Sequence, residues 1–384
     1  MNKSVNNSKS LFIALIVVIV VVVLGLVFAL AALSGVFSSP SSNKPTTPEN
    51  ITINASTKDL FNGFANVCDY GAVPNDGKDD TQAFKKAVET GINVFVPSGK
   101  YQINETISLV GVQMSGNSFN NTVIESKGNR VMFELYKGAD VSQLTLRYAS
   151  VSGKEKLDEK VALKICSTEE SQIDSYIHDI IIENVGTGIY SDFNGVVNNE
   201  TFENVHINGF TAAGIYLANA DRFNTNLRSI YLNDSKGAQY GITVQNGTAA
   251  VFEEIIFNNV EADEVMLLNS CTGFTVRTAM YDGVESEALL KLNNSIGTIG
   301  SIYDKASSGS VIKLCNIKKT ANLTVDFIHV SNLEKNSKFM LIDADNLSAK
   351  CNVNIDSCTY DNIPKAFEEL PCKKDTNLTV KITA

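Results

Sequence analysis

The sequence predicts an all-β chain wound into a parallel β-helix of about ten coils, with a short capping helix before the first coil. Two strand patterns recurring at coil-length intervals predict the stack, and one amphipathic segment predicts the helix. The first pattern is Ile-x-Leu-x-Asn or a near variant. It ends at Asn219, Asn246, Asn269, Asn294 and Asn316, at spacings of 27, 23, 25 and 22 residues. Period 2 within each copy puts the aliphatic residues and the Asn on one side. Stacked rung on rung, they would form aliphatic columns ending in an internal Asn ladder. The second pattern ends at Asn208, Asn233, Asn258, Asp282 and Asp304, at spacings of 25, 25, 24 and 22. Ile207, Leu232, Phe257, Tyr281 and Tyr303 precede those ends, and Val205, Ile230, Ile255, Ala279 and Ser301 form a second inward column. Asn or Asp at a strand end suits a turn residue in the left-handed region.

The helix reads from Asp79-Asp80-Thr81. Ala83, Phe84, Ala87 and Val88 fall on one side, and Lys85, Lys86 and Glu89 on the other. The acidic residues suit an N-cap and first turn, and Gly91 suits the stop. Asn93–Pro97 then reads as a strand and Ser98–Tyr101 as a turn.

Ahead of the domain, the chain divides by composition. Residues 1–10 form a short cytoplasmic N-terminus. Residues 11–34 carry no charge and are long enough to span a bilayer, and 35–60 form a stalk rich in Ser, Pro, Asn and Thr. The β-helix domain covers 61–384. Lys3 and Lys9 precede the apolar run, and no basic residue follows until Lys44, so the positive-inside rule exports the rest. The run exceeds the apolar core of a signal peptide, which favours a retained anchor, while Ala29-Leu30-Ala31 supplies a cleavage site for the rival reading. The expected location is the cell surface or outside the cell. Sequons at Asn50, Asn54, Asn104, Asn199, Asn233 and Asn377 would make it a glycoprotein in a host that modifies exported chains.

Among 384 residues the net charge is −10, which argues against a nucleic-acid partner. Trp is absent, so Tyr and Phe must supply any sugar contacts. Seven Cys in an exported chain imply some disulfides and an odd thiol. Cys351, Cys358 and Cys372 are expected to pair, whereas Cys271 and Cys315 lie about two rungs apart, too far for a direct bridge. No CxxC occurs and His is scarce, so no zinc site is expected.

The opening segments carry a resemblance. Val67-Cys68-Asp69-Tyr70-Gly71-Ala72, then Asn75–Thr81, the helix, and Val94–Tyr101 resemble the start of the pectate-lyase superfamily over about 40 residues. That group includes rhamnogalacturonase- and epimerase-like domains, polygalacturonases and phage tailspikes. The resemblance implies a right-handed parallel β-helix and a carbohydrate-active protein, with a polysaccharide or surface glycan as partner. It marks the cap and first coil, not an active site. The catalytic signatures of polygalacturonases are missing. The only Asp-Asp is Asp79-Asp80, no His is flanked by Gly, and Arg-Ile-Lys does not occur; Ser191–Gly195 is a weak echo of Asn-Thr-Asp.

The coils themselves offer candidate site residues. Asp282 and Asp304, if in one column on successive coils, would lie about 5 Å apart, the separation of a retaining glycosidase; the plainer reading is a pair of turn residues. Asp192, Asp221 and Arg222 fall about one coil apart and could face one groove, with Arg222 as the base of a lyase; the plainer reading is a solvated charge pair. Ca²⁺ enters only if the chain is a lyase, and Asp76, Asp79 and Asp80 are explained by helix capping. His206 and Tyr231 should point outward from adjacent rungs and could touch a glycan. No other cofactor is expected. An oligomer, a trimer among the options, is compatible with the sequence. Two functional classes follow, an anchored polysaccharide lyase or glycoside hydrolase and a non-catalytic glycan-binding adhesin or spike.

Overall fold

The computed structural model describes residues 63–128, 130–166, 174–333, 339–365, 372 and 375–383. The apolar run 11–34 and the stalk lie outside the described residues. Among those described, no helix is long and apolar enough to cross a membrane.

The strands Tyr176–Ser191, Thr201–Leu217, Asn226–Gln245 and Val251–Asn269 are 16 to 20 residues long. Such lengths arise because each strand bends twice. The first bend is one residue in the left-handed region: Gln143, Asp179, Asn204, Ser229 and Glu254, with φ from 49 to 57°. The second falls at Asn184, Gly209, Asp234, Asn259 and Gly283, with φ from 52 to 68°. These bends fold each coil into three flat faces, A, B and C in chain order. Face A carries 176–178, face B 180–183 and face C 187–191. Corresponding segments pair in parallel from coil to coil. The stack has about 12 turns, two more than the strand patterns predict, because the outermost coils carry weak copies of them.

The core is a set of inward columns. On face B, Ile180, Val205, Ile230, Ile255, Ala279, Ile302 and Ile328 lie in register and are at most 1% exposed. Each Ile or Val among them contributes roughly 1.5–3 kcal/mol when covered, and only neighbouring coils cover it. The inward column therefore holds Ile302 and not Ser301. Tyr281 pairs with Asp304 and Asp282 with Lys305. A one-residue slip of register turns every side chain to the opposite face.

The Asn residues also sit differently from the expected internal ladder. Asn219, Asn246, Asn294 and Asn316 occupy the corner after face C, at φ 49 to 63°, and Asn269 is out of step, its place there being taken by Ser270. Asn219, Asn246 and Asn316 are exposed. The ladder survives on the outside, where the Asn316 amide donates to Asn293 (2.8 Å) and Asn293 to Asn269 (2.9 Å). On face B the left-handed residue is the one after Asn208, Asn233, Asn258 and Asp282, not those residues themselves.

Helix α1, Thr81–Glu89, buries Thr81, Ala83, Phe84 and Ala87 against the first strands. Gly91 follows it at φ 71°. Asp80 makes no side-chain cap; its carboxylate instead accepts the Val73 (2.9 Å) and Gln102 (3.1 Å) amides, tying the entry loop to the strand Gly99–Ile103. Asp79 accepts the Thr81 amide, and Asp76 accepts that of Lys78. No disulfide joins the described cysteines, contrary to the pairing expected at Cys351, Cys358 and Cys372. Cys351 is turned into the core, 1% exposed.

Candidate functional site

The residues singled out in the sequence scatter over the molecule. Asp282 points outward and pairs with Lys305 Nζ at 2.7 Å. Asp304 is buried in the inner column beside Tyr281, so the two carboxylates do not form a stacked pair. Burial raises the Asp304 carboxyl to about 6, although Ser307 donates to it. Arg222 is fully buried inside the coil. Its Nε lies 3.2 Å from Glu200 Oε2, and its other nitrogens reach Ser191 Oγ and the carbonyl of Ala220. It shares no groove with Asp192, and Asp221 is exposed on the opposite side of the same short strand. Glu200 is equally buried, and burial raises its carboxyl despite the guanidinium.

His206 and Tyr231 do stack on adjacent rungs of face B, with centroids 4.4 Å apart and planes 5° apart. The Asp179 carboxylate can only accept, so the Asn204 amide nitrogen faces it at 2.7 Å and Asn204 Oδ1 faces His206 Nε2 at 3.1 Å. His206 Nε2 is thereby the protonated nitrogen, and burial lowers the basicity of this ring.

Asp192 belongs to the richest surface, face C. One outward column there runs Ser108, Glu134, Lys164, Tyr190, Tyr216, Thr243, Leu267, Lys291, Lys313 and Asp343, one residue per coil. In its middle Tyr190 and Tyr216 stack at 5.8 Å, and Tyr240, beside the column on the next coil and in register with Ala213, lies 5.2 Å from Tyr216. The Tyr190 hydroxyl donates to Asp192 Oδ2 at 2.5 Å, and burial together with that carboxylate raises the phenol. The second half is a charge ladder. Lys291 meets Glu264 at 2.5 Å and Glu287 at 3.8 Å; Lys313 meets Glu287, and Asp343 at 3.6 Å. Burial works against both ammonium groups, but these carboxylates hold them above the usual lysine range. An open recess of ≈ 410 Å³ lies here, lined by both lysines, Glu264, Asn293 and Asp345. The face thus offers phenol edges, amides and compensated charges along one line parallel to the stack.

A family model described as rhamnogalacturonase A/epimerase, pectate lyase-like, matches residues 64–262, over half of the chain. The chain belongs to this family. As a pectate lyase-like protein it is 24% identical, over 301 residues, to the pre-neck appendage protein of Bacillus phage B103. That match covers 73% of this chain and 31% of the phage protein, so the chain spans about a third of that relative's length. Among solved structures it is similar to the tailspike of Acinetobacter phage vb_AbaP_AS12, at TM-score 0.64 and 12% identity, over 84% of this chain and 63% of that one. It is also similar to a mannuronan C-5 epimerase A-module of Azotobacter vinelandii, at TM-score 0.52 and 14% identity, over 83% of this chain and 100% of that one. The catalytic unit of an α-1,3-glucanase from Streptomyces thermodiastaticus gives TM-score 0.51 and 15% identity, over 90% and 69%. At these identities the shared feature is the parallel β-helix.

Sequence reasoning reached Asp192 but missed the tyrosines of this pectate lyase-like chain. Tyr190, Tyr216 and Tyr240 lie 26 and 24 residues apart, the spacing of the coils themselves. An alignment of polar residues coil by coil brings the first two together.

Proposed function

We propose that face C is the surface on which this protein engages a polysaccharide, as the binding face of a carbohydrate-directed β-helix. The carrying observation is the Tyr190–Tyr216–Tyr240 ladder with Asp192. Tyr190 is only 6% exposed and backs Tyr216 from the neighbouring coil, so the rings an extended glycan can meet are the half-buried Tyr216 and Tyr240, whose 5.2 Å spacing is close to the length of a sugar unit. The kinship with glycan-directed β-helices supports the same reading. Lys291 and Lys313 already carry carboxylate partners, which favours a neutral or amino-bearing glycan over a polyuronate. The face presents binding groups in a line more plainly than it presents a pair of catalytic carboxylates, so recognition is the primary role, with lyase or hydrolase action on the bound chain the alternative. Tethering at the cell surface through residues 11–34, with the β-helix outside, completes the proposal and rests on the sequence alone.

The test is a glycan panel read both by binding and by release of reducing ends or unsaturated products. Binding that falls about fivefold or more in Tyr216→Ala and further in the Tyr216→Ala/Tyr240→Ala pair is expected, since each lost contact is worth about 1 kcal/mol. A wild-type chain that retains no glycan of the panel, or variants that bind like wild type, would reject face C.

A further inference from the structure

Face B carries an outward column unlike those of its neighbours. From coil to coil it runs Ile181, His206, Tyr231, Ile256, Met280, Tyr303 and His329, each in register with the next. None of them is a carboxylate, an ammonium or a guanidinium. Met280 and Tyr303 are 38% and 39% exposed, and the rest are half-buried. Phe327 adds to the strip, its ring 5.6 Å from that of Tyr303. The column beside it runs Glu183, Asn208, Asn233, Asn258, Asp282, Lys305 and Ser331. Its charges are compensated, since Glu183 lies 3.9 Å from Arg147 and Asp282 2.7 Å from Lys305.

An apolar strip of this length costs free energy while it faces water, and such strips mark places of contact. Its chemistry says what covers it. A sugar packs on the face of a ring. His206 and Tyr231 turn their faces to one another along the column, 4.4 Å apart and 5° from parallel, and leave edges outward. Faces A and C are poor covers too. Face A presents Glu203, Arg228, Glu253 and Arg277, and face C presents Lys164, Lys291, Lys313 and Asp343. Laid on Ile256 or Met280, those groups would lose their water to an apolar surface.

Face B of a second copy has the matching character. Each chain carries a net charge of −10, so two copies repel unless they meet through surfaces near neutrality, as these two columns are. The area is sufficient as well. Coils stacked at about 4.8 Å from Ile181 to His329, on a face about 16 Å wide, give roughly 500 Å² per copy. A pair then buries roughly 1,000 Å², the size at which specific interfaces begin.

We propose that face B is a self-association surface on which two copies of this chain pack isologously, apolar column against apolar column. An isologous contact closes at two copies. Tyr231, Ile256 and Met280 lie at the middle of the column and form the driest part of the contact. Face C takes no part in it, so the pairing stands or falls apart from the glycan reading.

The test is sedimentation of the full chain in detergent over about 1 to 100 µM, the range that suits an interface of modest area. Wild type is expected to pass from one copy to two as concentration rises. Ile256→Glu and Met280→Glu each bring two carboxylates into the closed pair. Either should weaken it about 100-fold or more and leave single copies. Thr298→Glu, on face A, should associate like wild type. Met280 gives a second reading, because peroxide oxidises an accessible thioether. Its sulfoxide, followed by peptide mass, should form several-fold faster in dilute than in concentrated wild type. Met114 and Met266, both 0% exposed, should stay slow throughout. Unchanged melting of each variant guards against misfolding. Single copies of wild type across the range, with Met280 oxidised equally fast at both ends, overturn the proposal. So does association that persists in both Glu variants. A mass of three copies overturns the isologous pairing.

Discussion

Asp304 takes a place in the inner column of face B that is Ile207, Leu232, Phe257 and Tyr281 on preceding coils. The unfolded carboxyl titrates near 3.8 and the folded one near about 6, so between those values the folded chain holds more protons. Stability should therefore fall as pH rises from about 4 to about 6 and stay level above. Urea midpoints across pH 4–8 check this, and Asp304→Asn should flatten the profile and raise stability at neutral pH by about 2–3 kcal/mol. Arg222 should behave oppositely. Arg222→Ala strands Glu200 in the core and should cost about 3–5 kcal/mol, whereas joint replacement by Glu200→Gln and Arg222→Met should cost far less, as denaturant unfolding of both would show. Neither role was legible in the sequence. Asp304 reads as a strand-end acid because Tyr281 and Tyr303 look equivalent, yet they face opposite ways. Arg222 reads as half of a solvated pair because a charged residue beside an Asp seldom enters a core.

The strand element was the most legible part, since inward aliphatic residues must repeat once per coil. What period alone does not fix is the bend. A corner requires φ near +50°, which Asn, Asp and Gly accept at little cost, and the chain places such residues at most corners. Asn246, at φ 53°, donates its backbone amide to Asn269 O at 2.9 Å. Asn246→Ala should cost about 1 kcal/mol and Asn246→Gly much less, measurable as a shift in thermal midpoint. Contacts between coils show the same limit: Asp140, 4.0 Å from His178, and Gln143, which donates to Asp179, come from a strand more than 30 residues earlier, and no local motif marks them.

At the scale of the molecule, the family and the coil stack were both visible in the opening residues and in the repeat, while the functional surfaces were not. A face is a column of single residues taken from successive coils, and its chemistry appears only after those coils are aligned. The N-terminal run offers a check at this scale. The full chain should sediment with membranes and resist carbonate extraction, with face C open to protease from outside; a fully soluble mature chain would favour cleavage after Ala29-Leu30-Ala31.

The parallel stack has a consequence for how the chain reaches its fold. Ladder hydrogen bonds such as Asn233 to Asn208 and Asn293 to Asn269 join residues 25 and 24 apart, roughly 7% of the chain length. Sheet proteins ordinarily fold slowly because their strands must find distant partners, but that separation is typical of helical bundles. Any few adjoining coils can therefore serve as the starting point, and the remainder can wind on in either direction, one short loop closure at a time.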